Sequence, residues 1–344
     1  MPVRGRRQFL RMLGGAAAAV SVPRLSAAAT REAVIEAAKG ESGLVWYDHY
    51  DTEAANAVLS AFQRDYPFVK KVEFVDTPSA QKTAKVAQES MVGGPTTDVL
   101  LNDAATQQTM TDRRWTLETD WGALGVATSP VMTPSPSMIL VITAPYVALY
   151  NVDLVRGTDV PQSWDDMVDP KWKGRTGHWM RASFFVDLIP AMGEDKARDL
   201  LSRLIALQPR LFDGQFPMAQ AIGSGEIALA AVAYDSSVRI IEKGAPVQMA
   251  PIDPTPLPLI CGAVMKYGKN PNTARLFLAW LGTREGAITF EKMTKRGNFF
   301  VDGTETAKYF SGHKLSYRTA EQSISEAKKL TALEAEFSRK LAGR

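Results

Sequence analysis

Apolar positions beyond the first thirty residues follow two spacings, one typical of strands and one typical of helices. A short apolar run at residues 44–47 predicts a strand, and residues 54–66 place apolar side chains every three or four positions, which predicts a helix. Residues 72–75 then alternate as a strand, residues 79–91 have helical spacing, and residues 97–103 predict a third strand. Strands that alternate with helices at this spacing indicate crossover connections on a parallel sheet.

The middle and the end of the chain continue this alternation. Residues 138–143 and 146–150 are strand-like runs, and Ser163 with Asp166 three residues later predicts the start of a helix. A single final helix is predicted to open at Thr319, with apolar side chains along one side. The other predicted elements are helices at 184–192, 194–206, 217–223 and 236–243, a strand at 257–265, and a helix from Pro271 to Gly282.

The first 29 residues differ in composition from the rest of the chain. They hold five arginines and no acidic residue, a short apolar stretch rich in Gly and Ala, and small residues at 26–29. This order is typical of an export signal, and the apolar stretch is too short for a permanent membrane helix. Residues 6–10, Arg-Arg-Gln-Phe-Leu, resemble the twin-arginine signal, which a receptor reads as an address. We therefore expect a signal peptide at 1–29, cleaved near residues 27–30, and a periplasmic protein. The alternative is an arginine pair ahead of an ordinary secretory signal.

Composition and charge narrow the class of protein. The chain has 344 residues, of which 45% are hydrophobic and 22% charged, and this composition excludes a disordered or polytopic membrane protein. The formal net charge is +3, but removing the five arginines of the predicted signal leaves −2, so nothing indicates a nucleic-acid partner. Cys261 stands alone, which excludes an internal disulfide, and its apolar neighbours predict a buried side chain rather than a reactive thiol.

Three sequence blocks resemble a known protein family. They are Ser-Trp-Asp-Asp at 163–166 within a longer motif at 161–174, Gly-Ser-Gly-Glu at 223–226, and an Asn-Pro segment at 269–281. In order and spacing these blocks are similar to those of the extracellular solute-binding proteins of bacterial ABC importers, in the group that contains ferric-iron-binding proteins. The resemblance covers roughly residues 42–310.

The resemblance implies an α/β protein with the type 2 periplasmic-binding fold, in which two α/β lobes are joined by crossing hinge strands and enclose a ligand cleft. Here it implies lobe 1 from residues 30–144 plus 248–312, lobe 2 from residues 145–247, and a C-terminal helical segment, 313–344, that packs on the lobes. We also expect a monomeric binding protein without enzymatic activity or cofactor, and we assign no residue as a metal ligand. Such a protein captures a small-molecule solute by hinge closure and delivers it to the membrane permease.

Residues that contact the solute are expected where strands end and helices begin. In open sheets of this kind ligands bind beyond the carboxyl ends of the strands, and a helix start offers N–H groups and a positive dipole end. A guanidinium at such a helix start suits a phosphate, phosphonate or carboxylate. The predicted ligand contacts are Tyr47, Asp48 and His49 after the first strand, Asp103 after the third, Thr143 on the first crossing, Arg181 and Ser183 before a helix, and Tyr234 with Asp235.

The identity of the solute has two interpretations. Where iron-binding relatives carry two adjacent tyrosines, this chain has Tyr234 followed by Asp235. Ferric iron is a hard cation that needs several anionic oxygen ligands, so the loss of one phenolate weakens the case for iron. A small polar solute with an anionic group is therefore the favoured cargo, and ferric iron is the alternative.

Other functions and simpler residue roles stay open. Tyr47 could pack within its strand, His49 could be a solvated turn residue, and Arg181 could pair with a surface carboxylate. An exported enzyme is a rival class, although the sequence has no His-Glu-x-x-His pair, no Gly-x-Ser-x-Gly elbow, no phosphate-cradling loop and no cysteine cluster. A structural or partner-binding protein is the third class.

Overall fold

The computed structural model describes residues 30–41 and 43–343, so the predicted export signal at 1–29 lies outside the described residues. Within them, the strands are β1 (Gly43–Asp48), β2 (Lys71–Asp76), β3 (Val99–Asp103), β4 (Thr116–Leu117), β5 (Ile139–Thr143), β6 (Tyr146–Asn151), β7 (Gly177–Trp179), β8 (Arg210–Phe212), β9 (Leu229–Ala233), β10 (Val247–Ala250), β11 (Thr255–Pro256), β12 (Leu259–Met265) and β13 (Leu315–Ser316). The α-helices are α1 (Arg31–Lys39), α2 (Thr52–Asp65), α3 (Ser79–Met91), α4 (Ala104–Asp112), α5 (Ser183–Met192), α6 (Glu194–Ala206), α7 (Gln215–Gly223), α8 (Tyr234–Glu242), α9 (Pro271–Gly282), α10 (Arg284–Thr294), α11 (Glu305–Tyr309), α12 (Ala320–Ser325) and α13 (Ala327–Leu341).

The first lobe is built on a six-stranded sheet of order β2-β1-β3-β12-β4, with β5 also paired to β12. β1 pairs in parallel with β2 and with β3, which confirms the crossover units predicted from the sequence. β12 runs antiparallel to β3, β4 and β5. Trp46 on β1 is fully buried, and its ring lies 5.6 Å from that of Phe277 on α9. Burying an aromatic side chain of this kind contributes about 1.5–3 kcal/mol, so this cluster anchors the sheet that positions the end of β1.

The second lobe is built on a three-stranded antiparallel sheet of order β10-β6-β9. Helices α5 and α6 pack on one of its hydrophobic clusters, which includes Phe185, Leu188 and Leu200, and α7 and α8 pack on another. Residues 248–250, which follow the predicted end of lobe 2, form ladder pairs with residues 148–150 of β6. The second lobe therefore has its own core, separate from that of the first lobe.

Crossing segments join the two lobes. β5 of the first lobe leads through residues 144–145 into β6 of the second, and the chain returns from β10 through β11 to β12. At the first crossing Thr143 is 1% exposed; its N–H donates to Gly297 O at 2.9 Å and its Oγ1 accepts from the N–H of Phe299 at 2.9 Å. These bonds fix the loop that follows α10 against the crossing. The architecture is thus two α/β lobes connected by crossing strands.

Two local predictions are wrong. After Ser163, the predicted capping bonds do form: Asp166 Oδ2 accepts from the Ser163 N–H at 2.9 Å, and Ser163 Oγ accepts from the Asp166 N–H at 3.2 Å. The chain nevertheless makes only a 3₁₀ turn at Asp166–Val168, because Pro170 disfavours helical backbone in the residue before it. The predicted single final helix is instead the pair α12 and α13, which meet at Glu326.

The lone cysteine agrees with the sequence analysis. Cys261 on β12 is 2% exposed, and burial raises the pKa of its thiol to about 12, which confirms the predicted buried side chain. Within the described part of the chain, no helix combines the length and the apolar character that crossing a bilayer requires.

Candidate functional site

Charged side chains from both lobes meet next to the crossing strands. Arg296 lies in the loop after α10 of the first lobe, and its Nε is 3.3 Å from Oδ2 of Asp235, the second residue of α8 in the second lobe. The guanidinium carbon of Arg296 is also 4.4 Å from the ring centroid of Tyr50, just beyond the carboxyl end of β1. An ion pair and a cation–π contact therefore connect a strand end of one lobe to a helix start of the other. We call Tyr50, Asp235 and Arg296 the hinge cluster.

The tyrosine of the hinge cluster is a neutral hydrogen-bonding group. Burial is the largest influence on Tyr50 and raises the pKa of its phenol above the usual range, while the neighbouring Arg296 acts in the opposite direction. Asp48 and Asp235 add to the increase. Tyr50 therefore keeps its proton at neutral pH, and a bound solute would meet a phenol that can donate or accept a hydrogen bond.

A buried ion pair supports the end of β1. Lys82 on α3 and Asp48 are 5% and 4% exposed, and Lys82 Nζ lies 2.6 Å from Asp48 Oδ1. Lys82 Nζ also donates to Leu101 O at 2.8 Å, and the His49 N–H donates to Asp48 Oδ1 at 2.8 Å. Among the described residues no donor reaches Asp48 Oδ2. The pair fixes the turn after β1, and it leaves one carboxylate oxygen able to accept a further hydrogen bond.

A second polar region lies at the start of α5. Arg181 Nη2 is 2.6 Å and Nε 2.8 Å from Oε1 of Glu334 on α13, and the guanidinium carbon lies 4.9 Å from the ring centroid of Trp179. Arg181 and Ser183 border a groove of about 810 Å³, whose walls come from α4, α5, residues 257–260 and the helices α12 and α13. We call it the interlobe groove, because α4 belongs to the first lobe and α5 to the second.

The interlobe groove contains an acid with a displaced pKa. Asp187 on α5 borders the groove, and burial raises the pKa of its carboxyl to about 7, although the nearby Arg318 acts in the opposite direction. Arg318 is itself held by a hydrogen bond from its Nη1 to Val186 O at 3.0 Å. Asp187 therefore carries a proton for part of the time near neutral pH, and can then donate a hydrogen bond.

Four of the predicted contacts border these two regions. Asp235 is part of the hinge cluster, while Asp103, Arg181 and Ser183 all border the interlobe groove. Asp103 is the N-cap of α4, and its Oδ1 accepts from the Thr106 N–H at 2.9 Å. Asp48 lies at the turn next to the hinge cluster, where it belongs to the buried pair with Lys82.

The remaining predicted contacts make other interactions. Tyr47 points to α3, where Lys85 Nζ lies 4.0 Å from its ring centroid, and burial raises the pKa of its phenol. His49 Nδ1 is 2.9 Å from Asp76 Oδ1 at an exposed position. Thr143 is buried in the crossing. Tyr234 is 7% exposed, with its ring 5.0 Å and 5.2 Å from those of Tyr309 and Phe310. The structure brings none of these four side chains into the hinge cluster.

Sequence reasoning did not select several of the charged residues found here. Arg296 lies in the loop after α10 and Arg318 lies between β13 and α12, where no periodic pattern marks an inward-facing arginine. The sequence pattern of α3 makes Lys82 look like an ordinary exposed helix residue. Only the folded structure, in which Lys82 faces the end of β1, shows that it is buried. Tyr50 did carry a signal, because it lies in the polar turn directly after the first strand.

No evident metal-binding cluster accompanies these residues. Across residues 30–41 and 43–343, no three His, Cys, Asp or Glu side chains are grouped in a way that could hold a metal ion. The two regions hold hydrogen-bonding and ion-pairing groups of both signs.

Comparison with known families supports the resemblance inferred from the sequence. Residues 124–294 match the family model described as bacterial extracellular solute-binding protein. Comparison with curated protein sequences gives no match. The matched segment includes both crossings and most of the second lobe, so the predicted resemblance to extracellular solute-binding proteins is confirmed.

Solved structures show the same fold at low sequence identity. Iron-bound HitA from Pseudomonas aeruginosa has a TM-score of 0.73 and 19% identity, over 86% of this chain and 99% of that chain. The periplasmic binding protein AfuA from Actinobacillus pleuropneumoniae, with fructose-6-phosphate bound, has a TM-score of 0.71 and 19% identity, over 87% and 99%. The substrate-binding protein of an ABC transporter from Agrobacterium tumefaciens has a TM-score of 0.73 and 15% identity, over 88% and 96%. The predicted type 2 periplasmic-binding fold is confirmed.

Proposed function

We propose that this protein, whose central region matches the extracellular solute-binding family, is the periplasmic solute-binding component of an ABC importer. It captures a small polar solute that carries an anionic group, closes its two lobes around the solute, and delivers it to the membrane permease. It acts as a monomer, by binding and without catalysis.

The hinge cluster is the observation that carries this proposal. Arg296 contacts Asp235 of one lobe and Tyr50 of the other, at the strand end and helix start where solutes bind in open α/β sheets. A solute that bonds to Arg296 and to the second lobe gains its full set of bonds only when the lobes are close together. A solute bound beside it therefore favours closure, which is the conformational change that transport by such proteins needs.

The arginines favour a solute with an anionic group. Arg296 and Arg181 each pair with an internal carboxylate, Asp235 and Glu334 respectively. Because phosphate and carboxylate groups can both accept a pair of hydrogen bonds from a guanidinium, an anionic solute can replace either partner. The structural relative AfuA was solved with a sugar phosphate, and a ligand of that chemical class suits these two arginines.

Ferric iron is the alternative cargo, since the structural relative HitA was solved with iron bound. Two local contacts make it the less favourable choice here. Tyr234 is packed between aromatic rings, and Asp235, which follows it, faces the positive charge of Arg296 at 3.3 Å. A fixed positive charge beside a candidate ligand opposes the binding of a trivalent cation. A phenolate–iron absorption band in the purified protein would restore the ferric interpretation.

Thermal unfolding with a panel of solutes tests the proposal. We expect one class among phosphorylated sugars, phosphonates, carboxylates and ferric citrate to raise the melting temperature, because a ligand that binds only the folded state stabilises it. Arg296→Ala should abolish that increase. Arg210→Ala is the matched control, since Arg210 also pairs with a carboxylate, Glu226, and lies over an aromatic ring, that of Phe212. Loss of the increase in both variants, or no increase with any compound, would contradict the proposal.

Mass spectrometry of compounds released on denaturing the purified protein then identifies the solute.

A further inference from the structure

The two C-terminal helices attach to different lobes. On α12, Ala320 and Ile324 pack in a hydrophobic cluster with Ala104 of α4 and Leu140 of β5, both in the first lobe. On α13, the apolar side chains belong to the core cluster of the second lobe, and these are Leu333, Phe337 and Leu341. The C-terminal segment therefore crosses from one lobe to the other in addition to the strands of the hinge.

Polar contacts fasten α13 to the second lobe. Arg198 on α6 makes two bonds to Glu336, from Nη1 to Oε1 at 2.7 Å and from Nη2 to Oε2 at 3.2 Å. The N–H of Ala182, which precedes α5, donates to Ser338 Oγ at 3.0 Å. Paired bonds between a guanidinium and a carboxylate fix orientation as well as distance. Together with the buried apolar residues, they prevent α13 from sliding along the second lobe.

The junction between the two helices is short and hydrogen-bonded. Glu326 ends α12 and precedes α13, with φ −96° and ψ 3°. Its N–H donates to Gln322 O at 3.0 Å, and its carbonyl accepts from the Leu330 N–H at 2.9 Å. Because helical hydrogen bonds continue on both sides of one residue, the pair behaves as a bent rod rather than as two helices on a loose loop.

This rod forms one wall of the interlobe groove, whose other walls are α4 and α5. Any motion that widens the groove by separating α4 from α5 must detach α12, detach α13 or break the junction at Glu326. Each of these steps exposes apolar side chains or breaks helical hydrogen bonds, so each raises the free energy of the open arrangement.

We propose that α12 and α13 form an interlobe strap that limits how far the two lobes open. The proposal rests on the proposed function in that it concerns the hinge motion of the solute cleft. With the strap attached, opening is confined to a narrow range and the ligand-free protein stays close to the arrangement that binds solute. A protein held in this way loses less conformational freedom when it captures its solute.

Distances between spin labels on the two lobes test the strap in ligand-free protein. Ser60→Cys on α2 and Ser202→Cys on α6 place labels at exposed positions of the first and second lobes. The native Cys261 is 2% exposed and does not compete for the label. The test variant inserts Gly-Ser-Gly-Ser between Glu326 and Ala327, which keeps both helices packed but uncouples them. The matched control inserts the same four residues after Gly157, in an exposed turn of the second lobe.

The expected result is a narrow distance distribution in the parent protein and in the control. The strap insertion should shift the distribution to longer distances and broaden it about twofold. An unchanged distribution in a folded insertion variant would overturn the proposal. If the insertion prevents folding, Ile324→Ser can be used instead, because it weakens the attachment of α12. The distance distribution of this variant should also shift to longer distances. Because no solute is used, failure here leaves the thermal test of solute binding untouched.

Discussion

Two of the ion pairs described above, Lys82 with Asp48 and Arg181 with Glu334, have similar chemistry and very different surroundings. The side chains of Lys82 and Asp48 are 7% and 6% exposed, whereas those of Arg181 and Glu334 are 55% and 27% exposed. A buried pair cannot lose one partner without leaving an uncompensated charge in a medium of low polarity. An exposed pair loses little, because water replaces the missing partner. We infer that the buried pair maintains the shape of the cleft and that the exposed pair is free to exchange with a solute.

The largest effect is expected from breaking the buried pair. Lys82→Met should lower the free energy of unfolding by about 3–5 kcal/mol, because Asp48 would keep a buried charge without a partner. Chemical denaturation with urea measures this loss. Adding Asp48→Asn to the same chain should restore part of the stability, since the charge is then gone. If Lys82→Met changed the stability by less than about 1 kcal/mol, the pair would behave as an exposed one and the contrast with Arg181 and Glu334 would fail.

Asp187 should make the stability of the protein depend on pH, with an effect somewhat smaller than that of Lys82→Met. Its pKa is raised to about 7 in the folded protein, so the folded state favours the protonated acid. Below pH 4 the Asp187 carboxyl is protonated in both the folded and the unfolded protein, so it does not lower the free energy of unfolding. From pH 4 to 7 the carboxyl ionises in the unfolded protein first, which lowers the free energy of unfolding by at most about 4 kcal/mol, and above pH 7 this loss stays constant. Asp187→Asn should therefore stabilise the protein at pH 8 and have little effect at pH 4. Urea unfolding at both pH values measures this, and equal effects at the two would contradict it.

Arg296 should have an intermediate effect, because it is only partly exposed and has two partners. Arg296→Ala removes the ion pair with Asp235 and the contact with the Tyr50 ring, which together should lower the free energy of unfolding by about 1–3 kcal/mol. Arg296→Lys keeps the charge but not the planar group, and should recover part of the loss. Thermal unfolding without solute tests whether stability decreases from the parent protein to Arg296→Lys and then to Arg296→Ala. A lysine variant no better than alanine would mean that the planar stacking on Tyr50, rather than the charge, carries the effect.

The sequence predicted the elements of the fold better than the contacts of the site. Helices such as α2 and α3 were predictable because their apolar spacing reflects the one face that each buries. The division of the final helix at Glu326 was not, because it depends on α12 and α13 packing on different lobes, which no local pattern encodes. The predicted helix after Ser163 failed although its capping residues make the expected bonds, since a cap starts a helix but does not extend it.

The rule on strand ends and helix starts selected only some of the residues that form the candidate site. It selected Asp235, which pairs with Arg296, and Asp48, which pairs with Lys82, but it did not distinguish Tyr47, which faces α3, from Tyr50 three residues later. Side chains alternate along a strand, so a turn residue and a strand residue of the same type can face opposite sides. Arg296 and Glu334 came from distant parts of the chain, and only tertiary packing brings them to the cleft.

The smallest effect on stability is expected at the exposed pair, where it should be accompanied by a change in binding. Glu334→Gln should alter the free energy of unfolding by less than about 1 kcal/mol, since Arg181 is mostly in water. It also frees Arg181 from its internal carboxylate, so inorganic phosphate and methyl phosphate should bind more tightly than to the parent protein, and neutral glycerol should not. Glu226→Gln is the matched control, because it releases Arg210, an arginine that also lies over an aromatic ring but does not border the groove. Isothermal titration with each probe compares the variants. If phosphate bound no more tightly to Glu334→Gln than to Glu226→Gln, Arg181 would not be an exchangeable anion site, and the exposed pair would have the same structural role as the buried one.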